Sequence, residues 1–530
     1  MTIAAQADDV EVADSQDGAV YDLVGVGIGP FNLALAALAE PVAGLRTLFL
    51  DENPSFRWHP GMMVDGATLQ VPFLADLVSL VDPANRRSYL AHLRDTGRLF
   101  EFYLAERSHI PRIEYESYCR TVAHAVESCR FGARVTEVRH SALPGDGQGT
   151  VDGFAVSYID VDDSRHTILA ANVVLGIGTE PIAPAALTRL CRAEAGAAAN
   201  SLVTHSAFYL RQADWIHAAS DVTVLGSGQS GAEVVLDLLR SWHRPGRRLR
   251  WLTRSAAFEP MEYSKIGLEH FTPDYVDHFH ALPDAERAAL LSSQGRLYKA
   301  VSADTLSAIR DELDTRSRVY GVGETGVTMM PGVEAIGGQR NGERIAIDFR
   351  HRSTGERMSV CTERLVLATG YAPRNPECLA PINADIERDA HGRYVIDRNH
   401  RVRLNGTRAG LYVQNAELHT HGVGTPDLGL GAYRAATILN AVTGRTVYPL
   451  PSRTAHTAFA PAVAAAADPG LTLTTENPGH EQPRHHPDRD RARIGADPAG
   501  PDPVEPGPAD PGAVIPGPSG SPGPDAVRAH

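Results

Sequence analysis

Residues 25–30 read Gly25-Val26-Gly27-Ile28-Gly29-Pro30, after the apolar run YDLVGV and before FNLALAAL. A strand that feeds a helix through such a turn offers backbone N–H groups to a phosphate at the helix N-terminus. Gly25 permits the tight turn, and Gly27 lets a pyrophosphate approach the backbone. Pro30 suits a first helical turn, which needs no N–H donor. Asp51 closes the next apolar run, TLFLDE, where a carboxylate can take ribose hydroxyls. A second turn, Gly226-Ser227-Gly228-Gln229-Ser230-Gly231, follows DVTVL, and its next run, RLRWLTR, ends on Arg254 instead of an acid. A guanidinium there favours the 2′-phosphate of NADP over free hydroxyls. Two turns with opposite charge endings imply two different dinucleotides, and FAD with NADPH is the simplest pair. Gly178 in GIGTEPIAP and Gly370 in ATGYAP fit either crossovers between domains or plain strand-ending turns.

Two further segments carry candidate contacts. Trp58 and His59 in FRWHPGM, and Gln70 in LQVPFL, could line a flavin ring, although a Trp is more often core and a His more often structural. His419 and His421 stand two apart, on opposite faces of a strand, which makes a poor metal pair. Five scattered cysteines include no CxxC pair, which excludes a disulfide scaffold and a dithiol redox centre. No Ser/His/Asp triad is evident.

Strands alternating with helices around both turns predict an α/β fold. It has two Rossmann-like dinucleotide-binding domains, for FAD and NADPH, with a smaller interleaved substrate-binding region. The 530 residues divide into an arm (1–19), a first part of the FAD domain (20–215), the NADPH domain (216–365), a second part of the FAD domain with the substrate region (366–452), and a Pro-rich tail (453–530). Residues 471–530 hold 13 of the 36 prolines and no Phe, Trp, Tyr or Lys, so the tail is expected to be disordered. A net charge of −14 argues against nucleic acid and anionic membranes as partners. The first twenty residues are acidic and lack an apolar stretch, so no signal peptide is expected. No apolar run reaches membrane-span length. A cytoplasmic enzyme is expected.

The motifs GVGIGPFNLALAAL, FLDENPSFRWHPGM, LQVPFLADLVSLVDP, GSGQSGAE, FTPDY, ATGY and NAELHTHGVGTPDLGLGAYR together resemble the lysine/ornithine N-hydroxylases. These are flavin-dependent monooxygenases of hydroxamate siderophore biosynthesis. The resemblance runs from about Tyr21 to Pro451. It implies that NADPH reduces FAD, that O2 then forms a C4a-hydroperoxide, and that a neutral primary amine takes the distal oxygen. It places Gly25, Gly27, Gly29 and Pro30 on the FAD phosphates and Asp51 on the ribose. Trp58, His59 and Gln70 then line the isoalloxazine, and Pro426, Asp427 and Leu428 contact it through backbone. Gly226, Ser227, Gly228, Gln229 and Ser230 hold the NADP phosphates, with Arg254 on the 2′-phosphate. A homo-oligomer, often a tetramer, is implied too.

Three positions depart from the amino-acid hydroxylases in ways that bear on substrate. Ala75 stands where they carry a Lys for the substrate carboxylate, Leu268 where they carry Asn or Asp, and Gly429 where they carry Ser. Glu269 and Leu297 complete the expected substrate-side set. An unpaired carboxylate buried against such residues costs several kcal/mol, so the expected substrate is a diamine, cadaverine or putrescine. L-lysine or L-ornithine is the alternative, and a non-catalytic flavin- or nucleotide-binding protein a further one. The far ammonium needs an acid, for which Asp76, Glu269 and Asp427 are the candidates. A disulfide reductase lacks its cysteine pair, and HSAFYLRQADW lacks the Gly and His of a Baeyer–Villiger fingerprint. Deleting residues 471–530 should leave turnover unchanged, as a steady-state assay of the shortened chain would show.

Overall fold

The computed structural model describes residues 20–145, 149–195, 201–242, 246–468, 470–473 and 513–514. The expected arm, 1–19, lies outside them, as does most of the tail. The first nucleotide domain is built on a six-stranded sheet. Its order is Arg401–Val402, Gly410–Val413, Asn172–Leu175, Leu23–Val26, Thr47–Asp51 and Cys129–Phe131, parallel except for the first pair. Leu23–Val26 is buried along its whole length, as a central parallel strand must be. The helix Pro30–Ala39 that follows is apolar nearly all round, because the sheet covers one side and the helix Gly431–Thr443 another. Leu33, Leu35 and Leu38 are fully buried there, each contributing roughly 1.5–3 kcal/mol. The alanines between them let the two helices approach closely.

The second domain has a five-stranded parallel sheet, ordered Val203–His205, Arg364–Leu367, Asp221–Leu225, Arg248–Leu252 and Val327–Met330. The edge strand Val203–His205 lies before residue 216 and the strand Arg364–Leu367 runs past 365, so both expected boundaries fall inside this domain. Cross-strand hydrogen bonds decide which sheet a segment joins, and composition does not report them. An antiparallel meander flanks each domain: Arg134–Pro144, Thr150–Ile159 and Arg165–Ala170 in the first, and Val333–Asn341, Arg344–His351 and Arg357–Thr362 in the second.

Two strands cross between the domains side by side. Thr179–Ala183 pairs antiparallel with Tyr371–Pro373, and Ala513–Val514 of the tail pairs with the other edge of Thr179–Ala183. Gly178 and Gly370 precede the two crossing strands with φ of +70° and +95°, values that favour glycine.

Order also continues past residue 453, where the disordered tail was expected to begin. Thr454 bonds Asp274, and Pro461–Ala467 is a helix. Backbone donors and one aromatic, Phe459, hold this stretch, so proline content alone misplaces its start.

Among the described residues a buried ion pair joins the domains. Arg112 opens the helix Arg112–Ala125 of the first domain, and Glu233 lies in the helix Gln229–Ser241 of the second. Nη2 and Nη1 of Arg112 donate to Oε1 and Oε2 of Glu233 at 2.7 and 2.9 Å, and Nη1 also donates to the Met62 carbonyl at 2.7 Å. The two side chains are only 12% and 6% exposed. Nearby, Gly61 lies so close to the Ala207 carbonyl that a Cβ would come within 2.0 Å of its oxygen. Arg112→Ala should leave Glu233 buried without its partner and cost about 3 kcal/mol, measured as a lowered thermal midpoint.

Candidate active site

The first glycine turn is shaped by contacts that exclude side chains. A Cβ on Gly25 would meet the Phe49 ring at 2.1 Å, and one on Gly27, at φ +85°, would meet the Gly176 carbonyl oxygen at 2.6 Å. Gly29 caps the helix N-terminus and Pro30 is its first residue. Asp51 Oδ2 accepts the Ile28 N–H at 2.7 Å, while Oδ1 accepts the Asn53 backbone and side-chain N–H groups at 2.8 Å. Asp51 therefore fixes the turn, and Oδ2 keeps a lone pair for a ribose hydroxyl. Beneath the turn, buried Asn32 donates to the Val26 and Gly27 carbonyls and accepts from Gln414 Nε2 at 2.6 Å. Asn32 and Gln414 carry no recognisable spacing, and the sequence reading omits both.

Next to this turn an aromatic row crosses the junction. Trp58 packs on Tyr115 and His59, with ring centroids 5.0 and 4.9 Å apart. His59 faces Tyr371 at 6.5 Å, and Tyr371 faces His205 at 5.2 Å. His59 has a left-handed backbone, φ +46°. The residue is exposed at its surface, but the surrounding protein, and after it the charge of Arg112, pushes its pKa down to about 4. The imidazole is neutral near neutral pH. His205 is likewise pushed down to about 4 by burial. Its Nδ1 accepts from the Ala207 N–H, which leaves the proton on Nε2, toward the Gly370 backbone. Gln70 Nε2 is buried without a partner. That unpaired donor fits the polar edge of a flavin, and the glycine-lined helix N-terminus fits its phosphates. Tyr371 and His205 are additions that sequence reading did not single out.

The second turn repeats the pattern. Gly226 has φ +126°, and a Cβ on it would meet the Ala368 carbonyl at 2.1 Å. Gly228 caps the helix, and the Ser227 hydroxyl accepts from Thr253 at 3.0 Å. Ser230 lies half-buried in the first turn of that helix. Gln229 was expected on the phosphates, but its side chain is already spent. Nε2 donates to Glu233 and Thr305, and Oε1 accepts the Ser302 N–H. Only its backbone N–H can serve a phosphate. Arg254 is exposed, and no carboxylate pairs with it among the described residues. Arg352, which the sequence reading missed, donates from Nη1 to the Arg254 carbonyl at 3.3 Å. These features fit a 2′-phosphorylated nucleotide.

The substrate-side positions separate into two groups. Ala75, Asp427 and Gly429 come together: a Cβ on Gly429 would lie 3.9 Å from Ala75 Cβ and 2.8 Å from Asp427 Oδ1. Pro426 is exposed and Leu428 half-buried beside them. Ala75 is only 5% exposed. Asp427 Oδ1 accepts the Gly429 N–H at 2.6 Å. Burial, partly offset by that bond and by Arg434, pushes its pKa up to about 6. Leu268 lies half-buried in the short helix Gly267–Phe271, while Leu297 packs in a core with Tyr275, Phe279 and Val423.

Two of the three candidate acids are already engaged by the fold. Asp76 accepts the N–H groups of Val78, Ser79 and Tyr89 and the Ser79 hydroxyl. Glu269 accepts the N–H groups of His456 and Thr457. Both serve backbone donors, which a sequence does not display.

Residues 19–373 match the family described as L-lysine 6-monooxygenase/L-ornithine 5-monooxygenase. The chain belongs to this family. Among its relatives, putrescine N-hydroxylase of Shewanella oneidensis is 40% identical over 446 residues, covering 84% of this chain and 85% of the relative. The FAD-bound cadaverine monooxygenase of desferrioxamine biosynthesis from Erwinia amylovora superposes with a TM-score of 0.76 at 37% identity, covering 83% of this chain and 98% of that one. An ornithine N-hydroxylase from Kutzneria, with reduced FAD, NADP+ and L-ornithine, gives 0.70 at 26% identity, covering 80% and 99%. No helix among the described residues is long and apolar enough to cross a membrane. Arg254→Ala should raise the KM for NADPH about tenfold with little change for NADH, as parallel steady-state assays would show.

Proposed function

We propose that the chain is an FAD- and NADPH-dependent N-monooxygenase that hydroxylates one terminal amine of a small diamine, putrescine or cadaverine, for a hydroxamate siderophore. The observation that carries the diamine is the corner formed by Ala75, Gly429 and Asp427, which presents an acid to the substrate and no basic side chain of its own. Arg434, whose charge acts on Asp427, pairs through Nε with Glu417 at 3.1 Å and through Nη2 with the Thr425 carbonyl, while its Nη1 stays buried without a partner. Like charges about 4 Å apart at an effective dielectric near 20 repel by about 4 kcal/mol. The carboxylate of L-lysine would meet that repulsion, whereas a second ammonium would meet attraction of similar size. The names of the Shewanella and Erwinia proteins support the same substrate class.

Bound flavin, reduced by NADPH, supplies the oxygen chemistry with O2. The protein's part is placement and dryness. The glycine turns hold the two dinucleotides by their phosphates, and Gln70, Trp58, His59 and Tyr371 frame the space between them. The reacting amine must be neutral, against a usual pKa of about 10.4. Neutral His59 adds no positive charge to repel an approaching amine, and the apolar ring faces of the aromatic row favour its uncharged form. Asp427 holds the other end as an ammonium. Association into a homo-oligomer accords with Phe100, Tyr103 and Leu104, which the helix Leu99–Ala105 leaves 82%, 73% and 75% exposed. Free cysteines accord with a reducing, cytoplasmic setting.

Hydroxylamine yield with cadaverine, putrescine, L-lysine and L-ornithine tests the reading. Strong turnover of L-lysine with neither diamine would overturn it. Asp427→Asn keeps the acceptor for the Gly429 N–H but removes the charge, so the diamine KM should rise about tenfold. In the unaltered enzyme the diamine KM should climb as pH falls through about 6, because Asp427 then takes up a proton. The Asn variant should lose that inflection.

A further inference from the structure

Residues 454–459 lie as a strap across the Gly267–Phe271 helix and the helix Pro273–Ala281 beside it. Glu269 is the centre of the attachment: Oε1 accepts the His456 N–H at 3.1 Å and Oε2 the Thr457 N–H at 2.8 Å. Asp274 Oδ2 accepts the Thr454 N–H at 2.6 Å and the Thr454 hydroxyl. Ala455 is buried, and Phe459 packs on Tyr275 and His270 with centroids 5.0 and 5.4 Å away. The strapped helix in turn packs against Gly422–Gly424, the segment that leads into Pro426 and Asp427. A five-residue helix cannot hold its own geometry in water. Here two carboxylates and an aromatic cluster hold it from outside.

We propose that Glu269 is a positioning residue: by gripping the 454–459 strap it fixes the Gly267–Phe271 wall of the amine site, and it does not touch the amine itself. The proposal rests on the diamine reading in one respect, that this helix borders the substrate. It assigns the first stretch of the Pro-rich tail to the enzyme's substrate affinity.

A double-mutant cycle in the full-length holoenzyme tests this. Glu269→Ala removes the acceptor, and His456→Pro with Thr457→Pro removes the two donors. Each change should raise the diamine KM about tenfold, and combining them should raise it no further, because both delete the same contact. The KM for NADPH, the flavin content and the rate of flavin reduction by NADPH should stay at the unaltered values. Amide hydrogen exchange over 267–271 should quicken in all three variants. Multiplying effects in the combined variant would overturn the proposal, since Glu269 would then act on the amine directly. An unchanged diamine KM despite faster exchange would also overturn it. If the unaltered enzyme hydroxylated no amine, the functional reading would fall. The exchange data would still judge the strap, with faster exchange supporting it and unchanged exchange refuting it.

Discussion

The bidentate pair between Arg112 and Glu233 is the constraint on which the geometry of the site depends. Removing two charges from water costs several kcal/mol per ion, recovered only when the geometry is good and the remaining donors and acceptors are satisfied. Here they are shared out closely: Arg112 also holds the Met62 carbonyl, and Glu233 also takes Gln229. Met62 ends the loop that carries Trp58 and His59, and Gln229 opens the helix of the second glycine turn. One ion pair therefore sets the distance between the two nucleotide sites. After burial, the Arg112 charge also helps push the His59 pKa down.

Most of the acids near the cleft are occupied by the fold. Asp51 ties the first glycine turn to the strand beside it. Asp76 gathers a loop and the start of the helix Tyr89–Asp95, although burial pushes its pKa up. Glu269 and Asp274 hold the strap. Asp427 differs in facing Ala75 and Gly429 while its bonds go only to the adjoining Gly429 and Leu430 backbone. A site for a small dication needs few charges, provided the others nearby are committed elsewhere, and this division supplies that condition.

Phosphate cradles are legible in sequence because their requirements are local. A strand, a turn without side chains and a helix N-terminus must follow one another within a few residues, so Gly25 to Pro30 and Gly226 to Gly231 stand out. Ala75 and Gly429 were legible only against the family's pattern, and the structure adds that they face each other. What the sequence hid has a common cause. Arg112 and Glu233 lie 121 residues apart, and nothing in either neighbourhood marks the partner. Asp76 and Glu269 were read as ligands because their residue type allowed it, and Gln229 because it stands in the second glycine motif. The bonds of the two acids run largely to backbone N–H groups, which carry no sequence signature, and those of Gln229 to distant Thr305 and Ser302 as well as Glu233. The strand Val203–His205 and the ordered stretch after residue 453 were misplaced for the same reason.

The paired crossing strands, Thr179–Ala183 and Tyr371–Pro373, have a mechanical consequence. A ribbon cross-linked by hydrogen bonds resists sliding of one strand past the other, because every bond would break at once. It twists readily, because twist is spread over several dihedrals. The ribbon thus acts as a torsion bar between the two nucleotide domains. Relative motion reduces to rotation about one axis, and the tail strand Ala513–Val514 stiffens that axis by widening the ribbon.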